Sequence, residues 1–251
     1  MSAIPAKTGL AWLKQGMALF RQQPAALTTL LFANVLFSLA ISAVPLLGQI
    51  VAVLLIPSFS MSFMQACLMI EHGQRVTPLV LLTGFRKPAV ITLCRIGLFY
   101  LGAIGITTLL AYVVVGDALF KQGVSASNPP AIDGAMALGV MLVAVLQIAT
   151  LVVLCFAAPL AYWQQMAPVK SVFYSVFAVL RSARVFLVML MAWFAMFIVA
   201  NLVPRIILGS STFGWVVMTW IGFLFVLLLQ CAMYAGYRQI FGVPKLAPQS
   251  T

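Results

Sequence analysis

The stretch QQPAALTTLLFANVLFSLAISAVPLLGQIVAVLLIPSFSMSFMQACLMI, residues 22–70, decides the fold, because its 49 residues include no Lys, Arg, Asp or Glu. A helix needs ~20 apolar residues to cross hydrocarbon that is about 30 Å thick. The stretch is therefore long enough for two crossings, and the sequence PLLG at residues 45–48 supplies a turn between them. We predict membrane spans at about 25–44 and 49–70, and we expect Pro57 to kink the second span.

Four more uncharged stretches follow, at residues 96–116, 134–169, 185–204 and 206–237. They predict further spans at about 91–115, 135–158, 185–203 and 213–237. A polar loop around Asn128 separates the third and fourth spans, and Pro159 is expected to end the fourth. Residues 1–251 are therefore predicted to form a single all-α transmembrane domain with six spans.

The composition excludes an ordinary soluble domain. Charged residues make up 7% of the chain and hydrophobic residues 64%, whereas soluble domains are about 25% charged. The formal net charge of +11 does not indicate nucleic acid, because the basic residues punctuate apolar spans instead of clustering on a polar face. The expected partners are membrane lipids, in particular anionic phospholipids.

The four cysteines lie in apolar segments without a CxxC pair, so they are expected to be small buried side chains.

The basic residues fall mainly on one side of the predicted membrane. Six crossings place both termini and the second and fourth loops on the same side, which then holds 12 of the 14 Lys and Arg residues. The other side holds only Lys121 and Arg205. Because basic loops favour the cytoplasm, we expect a multi-pass protein of the bacterial inner membrane with both termini cytoplasmic. The basic side contains Lys7, Lys14, Arg21, Arg75, Arg86, Lys87, Arg95, Lys170, Arg181, Arg184, Arg238 and Lys245.

The first basic residues predict an amphipathic helix over residues 8–22. Lys7, Lys14 and Arg21 are spaced seven residues apart, which places them in one stripe of a helix. The residues expected on the apolar face are Leu10, Leu13, Met17 and Phe20. Segments 76–86 and 168–184 also precede a pair of spans and end in basic residues. We therefore predict three helical hairpins, each preceded by a short amphipathic helix at the membrane interface.

The order of these features resembles a known group of membrane proteins. The basic amphipathic start, the PLLG turn at 45–48, the second span with Pro57 and the fourth span with Pro159 are similar to uncharacterised six-span bacterial inner-membrane proteins. That group is similar in pattern to the membrane domain found beside some glycerophosphodiester phosphodiesterases. The resemblance implies an inner-membrane location and no particular activity. It carries over no functional residue, and phosphodiesterase activity is not implied because residues 1–251 include no soluble hydrolase domain.

Few residues are suited to acid–base chemistry. The titratable candidates are Glu71, His72, Asp117 and Asp133, and the predicted topology places the two aspartates across the membrane from the Glu-His pair. One histidine and four scattered cysteines do not form a zinc-binding pattern. We therefore expect no enzyme, no catalytic, cofactor-binding or metal site, and no cofactor.

The preferred functional hypothesis is that the basic helices bind anionic phospholipid headgroups on the cytoplasmic leaflet, and the simpler alternative is that these charges only set the topology. The candidate headgroup-binding residues are Lys7, Lys14, Arg21, Arg86, Lys87, Arg95, Arg181 and Arg184.

Two other classes of function stay open. A small-solute permease or channel would use polar side chains deep in the spans, although the same side chains often bridge helices instead. The candidates are Asn34, Gln65, Gln147, Asn201 and Gln230. The third possibility is an accessory subunit of a membrane complex, with protein partners that the sequence does not identify.

Overall fold

The computed structural model describes residues 5–45, 47–87, 89–122, 134–209 and 211–244, with side chains for all of them except 114–122 and 134–136. These residues form helices and connecting turns, with no strand among them. The helices are α1 (Thr8–Gln22), α2 (Pro24–Ser42), α3 (Leu47–Glu71), α4 (Ala89–Gln122), α5 (Gly134–Leu154), α6 (Ala157–Trp163), α7 (Pro168–Arg181), α8 (Ala183–Leu208) and α9 (Thr212–Phe241), with a 3-10 helix at Pro78–Phe85.

Six helical segments in the described part of the chain are long and apolar enough to cross a membrane. The predictions of an all-α protein and of six candidate spans are therefore confirmed. In the structure α2 packs on α3, α4 on α5, and α8 on α9. The candidate spans are Pro24–Ser42, Leu47–Glu71, Ala89–Val113, Ala137–Trp163, Ala183–Leu208 and Thr212–Phe241.

Proline and serine fix several helix starts. Pro24 and Pro168 lie at the beginning of α2 and α7, where the missing backbone N–H costs no hydrogen bond. Ser211 precedes α9, and its Oγ accepts a hydrogen bond from the N–H of Gly214 at 3.1 Å. Helix α4 runs on to Gln122, beyond the predicted end of the third span at about 115. The predicted loop around Asn128 and the basic residue Lys245 lie outside the described residues.

The fourth predicted span is broken into α5 and α6. Pro159 lies in the first turn of α6, and its ring is incompatible with a continuous helix through the carbonyl four residues earlier, so the break falls at residues 155–156. Ser175 of α7 supplies hydrogen bonds to the break: its Oγ accepts from the N–H of Phe156 at 3.1 Å and donates to the carbonyl of Val153 at 2.7 Å. The break therefore fixes where α7 docks.

The segment predicted at 76–86 differs from the other two predicted surface helices. It forms the 3-10 helix Pro78–Phe85, which packs against α2, α3 and α4. Ser62 donates a hydrogen bond to the carbonyl of Leu81 at 2.9 Å. A Cβ at Gly84 would lie 2.6 Å from the carbonyl oxygen of Ser58, so the backbones approach here as only glycine allows. The largely apolar composition of residues 78–85 explains why this segment packs beside α3.

Candidate functional site

Helix α1 is docked on the bundle through a fully buried tryptophan. Trp12 is 0% exposed, and its ring lies 5.3 Å from that of Phe186 in α8 with an edge-to-face orientation. Its Nε1 donates a hydrogen bond to Gln239 at 2.5 Å. One turn later Gly16 packs on Ala232 of α9, where an added Cβ would lie 2.7 Å from the Ala232 nitrogen. The first and last described helices therefore meet at one end of the bundle.

The face of α1 that packs on the bundle differs from the predicted apolar face. Its buried residues are Gly9, Trp12, Leu13, Gly16 and Leu19. Of the residues predicted to form the apolar face, Leu13 is buried, Met17 and Phe20 are partly buried, and Leu10 is 44% exposed. The two glycines, Gly9 and Gly16, turn the buried face toward α8 and α9 and leave Leu10 on the outside of the bundle, so the predicted amphipathic helix stays a prediction. Lys7, Lys14 and Arg21 are exposed.

Helix α7 presents an apolar face outward. The residues that it buries against the bundle are Ser171, Ser175, Ala178 and Val179. Its exposed side carries large apolar residues, of which Phe173 and Phe177 are 66% and 57% exposed and stack with ring centroids 6.5 Å apart. The other exposed large side chains are Val169, Tyr174 and Leu180. A helix that turns its small polar residues inward and its aromatic residues outward is suited to an apolar surrounding.

Basic residues border the outward face of α7. Lys170 lies over the ring of Tyr174, with Nζ 5.9 Å from the ring centroid. Arg181 ends α7, and Arg184 lies in the first turn of α8. All eight candidate headgroup residues have exposed side chains, namely Lys7, Lys14, Arg21, Arg86, Lys87, Arg95, Arg181 and Arg184.

A polar network that sequence reasoning missed joins α1, α3 and α9. The carboxylate of Glu71 accepts hydrogen bonds from the Tyr234 hydroxyl and from Arg238, with which it forms an ion pair. Arg238 also donates to Gln15 of α1 at 3.0 Å. The sequence places Glu71 beside His72 and does not indicate its partners Tyr234 and Arg238, which are more than 160 residues away. The network fixes α1 to the ends of two spans through charge-assisted hydrogen bonds.

We expect Glu71→Gln to lower the free energy of unfolding by less than about 1 kcal/mol, because the amide retains polar contacts while the partly exposed ion pair is lost. Thermal unfolding in detergent measures the change. The double variant Glu71→Gln/Arg238→Gln is expected to recover part of the loss, since it also removes the unpaired cation. Strictly additive losses would contradict a direct coupling of the two side chains.

The intramembrane polar candidates separate into two groups. Gln147 accepts a hydrogen bond from Thr107 at 2.6 Å and so joins α5 to α4. Gln65 accepts one from Trp163 at 3.1 Å, which joins α3 to α6. Asn201 donates to the Phe197 carbonyl within α8. The remaining two, Asn34 of α2 and Gln230 of α9, line one cavity together with α3.

Among the described residues, no three His, Cys, Asp or Glu side chains come together in a way that could hold a metal ion. The arrangement therefore offers two sites with distinct chemistry: a cationic surface bordered by exposed apolar side chains, and an uncharged cavity within the spans.

The chain is similar to a probable inner membrane protein of Burkholderia thailandensis. The two are 32% identical over 257 residues, an alignment that covers 96% of this chain and 94% of the relative. No protein-family model matches the chain, and no solved structure matches it. Identity of this extent along nearly both whole chains, with six candidate spans, places the chain in a group of multi-pass membrane proteins. The chain belongs to the same family as this probable inner membrane protein.

Proposed function

We propose that the protein is a non-enzymatic inner-membrane protein that binds anionic phospholipid headgroups through α1, α7 and the basic residues beside them, with both termini in the cytoplasm. The observation that carries the proposal is the exposed face of α7, where large apolar side chains lie next to exposed basic ones. An interfacial helix needs this combination, because its apolar side enters the boundary between headgroups and acyl chains while its charges meet the phosphates.

The spacing of the exposed groups supports the proposal for α7. Val169, Phe173, Phe177 and Leu180 recur every three or four residues, so they form one continuous stripe. Each is more than half exposed, and water would make that arrangement unfavourable. Contact with lipid instead of water removes the unfavourable exposure of these apolar side chains. Lys170 and Arg181 then lie at opposite ends of the same helix, within reach of separate headgroups.

Helix α1 supports the same proposal with a different surface. Its inner face is occupied by the contacts with α8 and α9, which leaves Leu10 and the basic stripe exposed. At 100° per residue, the exposed Leu10 and the partly buried Met17 lie directly beside Lys14 and Arg21 on the helix. These apolar residues and the charges therefore face one neighbouring region. Each basic residue near an anionic leaflet contributes about 1 kcal/mol of attraction, which makes a set of them effective together.

The experiment replaces Lys7, Lys14, Arg21, Arg86, Arg181 and Arg184 with glutamine and measures the phospholipids that co-purify in mild detergent. Anionic lipids are expected to fall by at least half relative to zwitterionic lipids, because the charge attraction is lost. The matched control exchanges Lys and Arg at the same six positions, which retains the charge. Reporter fusions at both termini verify the orientation of each variant. Unchanged anionic lipid in a correctly oriented glutamine variant would contradict the proposal and favour a purely topological role.

A permease or channel is the weaker proposal. Of the side chains that a solute pathway would use, Gln147 and Gln65 are engaged in bonds between helices, and Asn201 bonds within its own helix. The role of an accessory subunit and the similarity in pattern to the membrane domain beside glycerophosphodiester phosphodiesterases stay predictions.

A further inference from the structure

A cavity of about 340 Å³ lies between α2, α3 and α9. Its lining residues lie near the middle of these spans, and none of them is charged. Its apolar wall includes Ile56, Phe59 and Phe63 of α3, and at its side Val226 of α9 is 45% exposed. The side that is not closed by helices therefore faces the hydrocarbon of the membrane, and a ligand would enter from the bilayer.

Four polar side chains line this cavity: Asn34, Ser38, Ser60 and Gln230. None of the four forms a hydrogen bond with another described residue, and the Oδ1 atom of Asn34 is completely buried without a partner. Several hydroxyls elsewhere in the spans bond within their own helix, although the Ser58 hydroxyl of α3 is also buried without a partner. Thr108 and Thr219, for example, each donate to the carbonyl one turn earlier at 2.8 Å.

Unpaired polar groups are costly where water is absent, so a cluster of them calls for a partner. The partner must be uncharged, because none of the lining residues carries a charge that could compensate one. It must offer a hydrogen-bond donor, since the buried Asn34 oxygen can only accept. It must also offer an acceptor, since the Gln230 amide and the two serine hydroxyls can donate.

We propose that this cavity binds the hydroxyl-bearing polar end of a neutral membrane lipid, of the diacylglycerol class. The free hydroxyl of such a lipid donates to Asn34, and its neighbouring ester oxygens accept from Gln230, Ser38 or Ser60. A volume of about 340 Å³ accommodates the glycerol group and the first carbons of the chains, and the remaining chains pass Val226 into the bilayer. This site is independent of the proposed binding of anionic headgroups.

Native mass spectrometry of the detergent-purified protein titrated with dioleoylglycerol tests the proposal. The wild type is expected to bind one molecule, and the variant Asn34→Leu/Gln230→Met is expected to bind at least about tenfold more weakly, because the hydrogen bonds are lost. Asn201→Leu is the matched control, since it removes an intramembrane amide that lies outside the cavity. Its affinity for dioleoylglycerol should equal that of the wild type.

A second measurement guards against misfolding. Because no described residue donates a hydrogen bond to the buried Asn34 Oδ1, Asn34→Leu should retain or raise the melting temperature while it weakens binding. Ala52→Phe, which fills the cavity from α3 without removing a polar group, should also weaken binding. The proposal is overturned if the wild type does not bind dioleoylglycerol, if the polar variants bind it as tightly as the wild type, or if the anionic lipid dioleoylphosphatidylglycerol competes equally for this site.

Discussion

Replacing Trp12 with alanine is expected to lower the free energy of unfolding by about 3–5 kcal/mol and to release α1 from the bundle. The indole is completely buried between Phe186 and Gly236, so its removal leaves a void that the rigid helices cannot close. It also leaves the Gln239 oxygen without its donor. No other described part of α1 fills this volume, which is why a single side chain has so large an effect.

Thermal unfolding in detergent, followed by tryptophan fluorescence, measures the loss of stability in the Trp12→Ala protein. Limited proteolysis with trypsin should then cut at Lys14, which the wild type protects because α1 is held against α9. Trp215→Ala is the matched control: this tryptophan is 62% exposed, so its removal should cost less than about 1 kcal/mol. An equal loss of stability in both variants would argue against a specific docking role of Trp12.

The class and the number of spans were predictable because hydropathy acts over whole helices. A run of about 20 uncharged, apolar residues has few stable structures other than a membrane-spanning helix, and small differences in sequence do not change that structure. Helix ends were predictable where proline acts locally, as at Pro24 and Pro168. The fourth span was expected to end at about residue 158, near Pro159, whereas α5 ends at Leu154 and the candidate span continues through α6 to Trp163, because proline disrupts the turn that precedes it and lies in the first turn of the helix that follows.

The contacts between distant segments were not predictable in the same way. The burial of Trp12 depends on Gly236, and the bonds of Glu71 depend on Tyr234 and Arg238, all of which are more than 160 residues away in sequence. Small residues four apart, such as Ala232 and Gly236, permit a close helix contact, but nothing in a single sequence specifies that α1 occupies it. Likewise, Asn34 and Gln230 were candidates individually, and only the packing of α2, α3 and α9 brings them to one cavity.

The exposure of the cationic residues, unlike these contacts, was predictable from the sequence. The reason is that a charged side chain is rarely buried without a partner. What α7 adds is the orientation of its uncharged residues. Its serines face the bundle and its phenylalanines face outward, an arrangement that reverses the usual order for a helix on a soluble protein. The proposed interaction with lipid therefore depends on how the break between α5 and α6 orients α7.

Replacing Ser175 with alanine is accordingly expected to lower the free energy of unfolding by about 2 kcal/mol, because two backbone groups at the break lose their partner in a water-poor environment. Ser171→Ala is the matched control on the same helix: that serine is equally buried, but its hydroxyl bonds only to Pro168 within the first turn. The loss of the Ser171 hydroxyl should cost less than about 0.5 kcal/mol.

Hydrogen exchange of the Phe156 amide, measured by mass spectrometry of the peptides spanning residues 150–160, should accelerate in Ser175→Ala and not in Ser171→Ala. If the two variants exchange alike, Ser175 does not hold the break, and the outward orientation of the α7 phenylalanines has another cause.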